Sequence, residues 1–147
     1  MIKGKFPFDT KFFIQLAKDV VPMFRKHTFM DALDVKGKKF KRYSDNYGKE
    51  KRTGGLFRQA SEFKDSTAPV LTSDLLRDWK LQGTSSTGFT FGTATQGGKI
   101  TNLERLGRII STDKEPVPKK ISKHIMKQAD KYVQSRLNKI KGGTFNI

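Results

Sequence analysis

Between residues 9 and 33, Phe13, Leu16, Ala17, Val20, Val21 and Phe24 return every three or four positions, the spacing of one helical face. Asp9 precedes them and can accept hydrogen bonds from the first free amides, so the pattern predicts a helix over 9–33. Pro22 removes one backbone donor and crowds the preceding turn. Two helical pieces are therefore expected, with Phe24 to Leu33 continuing at an angle.

Apolar periodicity then stops. Residues 34–69 hold few aliphatic side chains and many Lys, Gly, Ser and Asp residues, too little apolar area to pack as a regular element, and read as a long, partly mobile loop. A loop of that length in a small domain normally binds something or orders against a partner. Val70 and Leu71 restart the apolar pattern; Ser73 or Asp74 can cap a short helix through Leu75, Leu76 and Arg77. From Trp79 the period changes to alternation. Trp79 and Leu81 on one run, and Phe89 and Phe91 on the next, point to a common face, with Ser85 to Gly88 as the turn of a hairpin around 79–95.

Gln96, Gly97 and Gly98 read as a second loop, followed by a short amphipathic turn or helix carrying Ile100, Leu103, Leu106 and Ile110. After Pro116 and Pro118 comes the clearest helix. Ile121, Ile125, Ala129, Tyr132, Val133, Leu137 and Ile140 lie on one face, lysines cover the others, and Gly142 with Gly143 ends it. The sum is an α+β fold: a small antiparallel β-sheet packed against N-terminal and C-terminal helices, with the long basic loop inside a single domain spanning 1–147. At 147 residues the chain is long enough for one real core.

Charge changes the picture. Thirty Lys plus Arg against fourteen Asp plus Glu leave a formal net charge of +16, which points to an anionic partner. Residues 36–64 carry ten basic against three acidic residues, and residues 119–141 carry eight against one, so each segment contributes +7. Within the first, Phe40, Tyr43 and Tyr47 lie among Lys38, Lys39, Lys41, Arg42, Lys49, Lys51 and Arg52. That mixture suits phosphate neutralisation and base stacking on a nucleic acid; it equally suits a solvated loop whose aromatics are tucked onto the protein's own core. The lysines of the last helix read as a solvated outer face.

Candidate chemistry is sparse. Cysteine is absent, which excludes disulfides, thiolate catalysis and cysteine-held metals. His27 and His124 are about a hundred positions apart with no carboxylate pattern that suggests a metal site or a relay, and Ser73 beside Asp74 has no partnering base and no G-x-S-x-G elbow. Gly92, Gly97 and Gly98 form no phosphate-loop pattern, and Trp79, Phe89 and Phe91 read as core filling. Without clustered carboxylates to hold divalent metal, nuclease chemistry is disfavoured too. The protein is expected to be no enzyme and to need no cofactor. The first thirty residues hold charges throughout, so a soluble protein outside the general export route is expected, with no membrane partner.

The order of parts resembles the virion-morphogenesis proteins of tailed bacteriophages, the small proteins of head-to-tail joining and tail completion. The stretches that carry the resemblance are GKKFKRYSDNY at Gly37 to Tyr47, VLTSDLLRDW at Val70 to Trp79, FTFGT at Phe89 to Thr93, LERLGR at Leu103 to Arg108, and the closing helix after VPKK. Two positions depart from the family pattern: Ser73 stands where glycine is usual, and LERLGR lacks the His or Tyr often found before its glycine. The resemblance implies a non-enzymatic structural protein, a connector, neck or tail-completion part that forms a homo-oligomeric ring with portal, neck or tail proteins. It would be made in the host cytoplasm and reside in the virion. Lys38, Lys39, Lys41, Arg42, Tyr43, Tyr47, Lys49, Lys51 and Arg52 are the expected contact residues, through electrostatic docking onto other virion proteins or non-specific contact with passing DNA. A basic module that grips nucleic-acid phosphates is the alternative function.

Overall fold

The computed structural model describes residues 8–47, 49 and 74–141. Helix α1 runs from Thr10 to Arg25, with Asp9 at its N-cap: Asp9 Oδ1 accepts a hydrogen bond from the Phe12 amide at 2.8 Å. Its buried face is Phe13, Leu16, Ala17, Val20, Val21 and Phe24, the set expected from the periodicity. Pro22 sits inside α1 without ending it, a correction to the expected break. The chain instead departs from α-helix four residues later, in a π-helical turn Lys26–Met30 closed by the Asp31 amide on the Lys26 carbonyl at 2.8 Å. Ala32, with φ of 56°, then turns the chain out of the helix.

The fold is α+β. Beyond α1 the described elements are a short helix α2 (Asp74–Asp78), strands β1 (Trp79–Thr84) and β2 (Phe89–Thr93), and helices α3 (Gly97–Arg105) and α4 (Lys119–Lys141). The strands pair antiparallel from Trp79 opposite Thr93 to Thr84 opposite Phe89, with an irregularity between Leu81 and Gly83. In the turn, the Ser85 amide donates to the Gly88 carbonyl at 2.8 Å. A two-stranded ribbon is marginal by itself. This one is held by aromatics: Trp79 stacks on Phe24 of α1 at 4.9 Å with planes 5° apart, and Phe91 meets Phe24 edge-on at 5.3 Å. Arg25 Nε also donates to the Trp79 carbonyl at 2.7 Å. Leu81 lies opposite Phe91 yet stays exposed, so only part of the expected common face is core.

Three expectations need correction. Gly97 and Gly98 belong to the first turn of α3 rather than to a loop, and Leu106 and Ile110 lie beyond its end. The lead-in is fixed from outside: Asp78 Oδ2 accepts from the Thr95 amide at 2.7 Å and the Gln96 amide at 3.0 Å. In α4 only Ile121 is fully buried, and Leu137 and Ile140 on its last turns are exposed. The third correction concerns the strip after α1, whose first part is anchored rather than loose. Val35 and Phe40 are buried, the Phe40 amide donates to the Ala32 carbonyl at 3.0 Å, and Leu33 bridges Lys39 across a turn at Gly37, which has φ of 82°.

Helix α4 lies against α1 in the opposite direction. Asp9 Oδ2 accepts from the Tyr132 hydroxyl at 2.9 Å and Arg136 Nη2 at 3.1 Å, while Asp19 stands 3.5 Å from His124 Nε2. These bonds hold the Asp9 carboxyl below its ordinary 3.8, the Phe12 amide first and the Tyr132 hydroxyl next. A carboxyl whose folded value is depressed stabilises the fold above the unfolded value, and that contribution is lost as pH falls through the folded one. The wild-type urea midpoint should therefore drop between pH 6 and pH 3 by more than that of Asp9→Ala, and equal drops would refute this role.

Candidate partner-binding surface

The basic strip is built on Arg108. Helix α3 ends in a left-handed glycine, Gly107 with φ of 71°; the Gly107 amide donates to the Glu104 carbonyl at 2.9 Å and the Arg108 amide to the Leu103 carbonyl at 2.9 Å. This paired arrangement satisfies the last free carbonyls of the helix and turns the chain back inward. Arg108 is consequently only 4% exposed. Its Nη2 donates to the Lys41 carbonyl at 2.7 Å, and its guanidinium lies 4.1 Å from the centre of the Tyr43 ring. One residue on, the Ile109 carbonyl accepts from the Val35 amide at 3.0 Å.

Tyr43 is the middle of a small stack. Its other neighbour is Tyr47, ring centres 4.8 Å apart, at a helical turn spanning 45–47. Burial pushes the Tyr43 phenol up to about 12, against the opposing pull of Arg108. Both tyrosines are half-buried and Phe40 is buried, so this part of the strip has its aromatics turned to the protein. Lys38, Lys39, Lys41, Arg42 and Lys49 are exposed. The arrangement is a row of exposed cations, one of them Lys39 with its ammonium on the Asp31 carbonyl at 2.5 Å, on a backbone held from beneath at Lys41, chemically suited to meeting an anionic surface and poorly suited to stacking bases. Lys51 and Arg52 lie outside the described residues.

Sequence reasoning missed Arg108 as the anchor. The signal available was the glycine before it at the end of an amphipathic segment, which marks a helix C-terminus and leaves the next side chain free to point inward. Among the described residues there is no group of three or more His, Asp or Glu placed to hold a metal ion, and no helix long and apolar enough to cross a membrane. No family model, no curated protein and no solved structure matches this chain.

Proposed function

We propose that this protein is a non-enzymatic structural part of a tailed-phage particle, a head-to-tail connector, neck-ring or tail-completion component that assembles with portal and tail proteins. The observation that carries the reading is that the segments on which the resemblance rests pack on one another. Arg108, the last residue of LERLGR, holds the Lys41 carbonyl and the Tyr43 ring of GKKFKRYSDNY. Trp79, the last residue of VLTSDLLRDW, pairs with Thr93, the last of FTFGT. Residues dispersed over the chain thus form two contacts, one between each pair of segments.

In this reading the exposed cations Lys38, Lys39, Lys41, Arg42 and Lys49 dock onto acidic faces of neighbouring ring subunits, where repeated copies multiply weak contacts. The protein would be made in the host cytoplasm and end in the neck or tail of the virion. Electron microscopy of the purified protein mixed with a candidate phage portal protein should show rings seated on the portal. Reversing Lys38, Lys39, Lys41 and Arg42 to Glu should weaken that association tenfold or more, on the order of 1.4 kcal/mol. A monomer that ignores the portal but saturates random DNA, with a steep loss of binding on added salt, would instead establish the nucleic-acid module.

A further inference from the structure

The hairpin lies in the longest uncharged run of the chain. Residues 81–98 hold no Asp, Glu, Lys or Arg, in a chain of 30 basic and 14 acidic residues where no other such run exceeds eight. Strand β2 falls wholly inside this run, whereas β1 begins outside it and carries Lys80. The two outer edges of the ribbon therefore differ. A strand edge without a neighbour presents amides and carbonyls to which another strand can bond, and natural proteins blunt such edges with lysine or a bulge. β1 has both, Lys80 and the irregularity between Leu81 and Gly83 that leaves Gln82 out of register. β2 has neither. Its sequence, FTFGT, holds no charge and no proline, and among the described residues it pairs with β1 alone. Its inner face is taken up by the core, with Phe91 edge-on to Phe24 and Phe89 stacked on Phe91 at 6.0 Å. Its outer face is open: Thr90 is exposed, and a Cβ built on Gly92 would meet nothing within 4 Å beyond its chain neighbours.

Charge decides what can lie along this edge. An acidic peptide or a nucleic acid finds no cation between Lys80 and Lys99 to hold it. A lipid surface fits poorly as well, because the aromatic side chains that would enter it are packed on Phe24 and on each other. Two copies of this chain, each with a formal net charge of +16, repel wherever their charged faces meet, and they oppose the fewest like charges along the neutral run. A second β2 also matches the first in length and chemistry.

We propose that β2 pairs with β2 of a second copy of this chain, antiparallel about a two-fold axis at Thr90, to form a four-stranded sheet in the order β1-β2-β2-β1. With the axis there, Phe89 of each copy lies opposite Phe91 of the other on the core side, and the two Thr90 side chains face each other on the open side. Such a contact is self-complementary and closes at two copies. It also extends a two-stranded ribbon, marginal by itself, into a sheet with enough strands to be stable. The inference rests on β2 and not on a role in a phage particle. A dimer that ignores the portal would uphold it, and rings formed without β2 pairing would overturn it alone.

Sedimentation velocity of the full chain over a concentration series should show a monomer-dimer equilibrium that tightens about threefold or more as salt rises from about 0.05 to 0.5 M, because screening relieves the repulsion between copies. An association bridged by nucleic acid would weaken instead, and that outcome would overturn the pairing. Thr90→Lys and Thr90→Glu, both on the exposed face, should leave the circular dichroism spectrum and Trp79 fluorescence intact while each weakens the dimer about tenfold or more, since each sets like charges across the axis. Mixed in equal amounts, the two variants should pair again. A chain that stays monomeric at every concentration and salt would overturn the proposal. So would a dimer indifferent to both substitutions, two variants that fail to pair on mixing, or growth into fibres in place of closed pairs.

Discussion

Replacing Phe24 with alanine should destabilise the protein by about 3–5 kcal/mol, the largest effect expected of any single substitution here. Phe24 has no solvent exposure, and it packs on two aromatic residues of the ribbon's inner face, Trp79 at 4.9 Å and Phe91 at 5.3 Å. The loss has two parts: the transfer free energy gained by burying the ring on folding, and the cavity left between helix and ribbon where its atoms stood. Aromatic pairing adds about 0.5–1.5 kcal/mol per contact. Against a total stability of about 5–15 kcal/mol, much of the folded margin disappears. Trp79 is the sole tryptophan and lies on the substituted contact, so its fluorescence reports the guanidinium transition directly. Phe24→Leu keeps most of the volume and should cost clearly less. A loss below about 1 kcal/mol for the alanine variant would mean that the ribbon is held elsewhere.

The parts of this fold that were legible in the sequence are those in which the determining residues are near neighbours in the chain. The buried face of α1 and the hairpin with its turn at Ser85 to Gly88 depend on spacings of two to four residues, and both follow from the apolar pattern. The apolar face of α4 is covered over only part of its length, for a geometric reason. The 16 residues of α1 span about 24 Å and the 23 residues of α4 about 35 Å, and the helices run antiparallel from a tie at Asp9. The last turn of α4 therefore passes the end of its neighbour, and a continuous apolar stripe continues beyond the surface that could cover it. Gly97 and Gly98 misled in the same way, since their poor helix propensity is overridden by a clamp from Asp78, eighteen residues earlier than Gln96. The basic strip shows the limit most clearly. Its composition is that of a loop, and the group that orders it is 67 residues downstream of Lys41.

Arg108→Ala should remove about 2–4 kcal/mol, since the buried guanidinium makes a charged hydrogen bond to the Lys41 carbonyl and covers the Tyr43 ring. Both losses fall on residues 41–43, so amide exchange there should accelerate more than in α1 or in the hairpin. Arg108→Lys keeps the charge but has neither the planar fork nor the flat face, and should recover less than half of the loss. Tyr43 supplies a reading of how deeply the strip is seated, through its burial. Its folded-state value of about 12 lies above the ordinary 10.0, with burial as the leading cause. The native state therefore favours the neutral phenol, and the stability this contributes is complete below pH 10 and lost as pH rises from 10 through 12. Ultraviolet titration of phenolate should show a late-ionising component in the wild type that is missing in Tyr43→Phe. If no phenol ionises late while the protein is still folded, Tyr43 is not buried and the strip is not seated on the protein beneath it. The cations above it would then be a mobile tether instead of the fixed row on which docking by Lys38, Lys39, Lys41 and Arg42 depends.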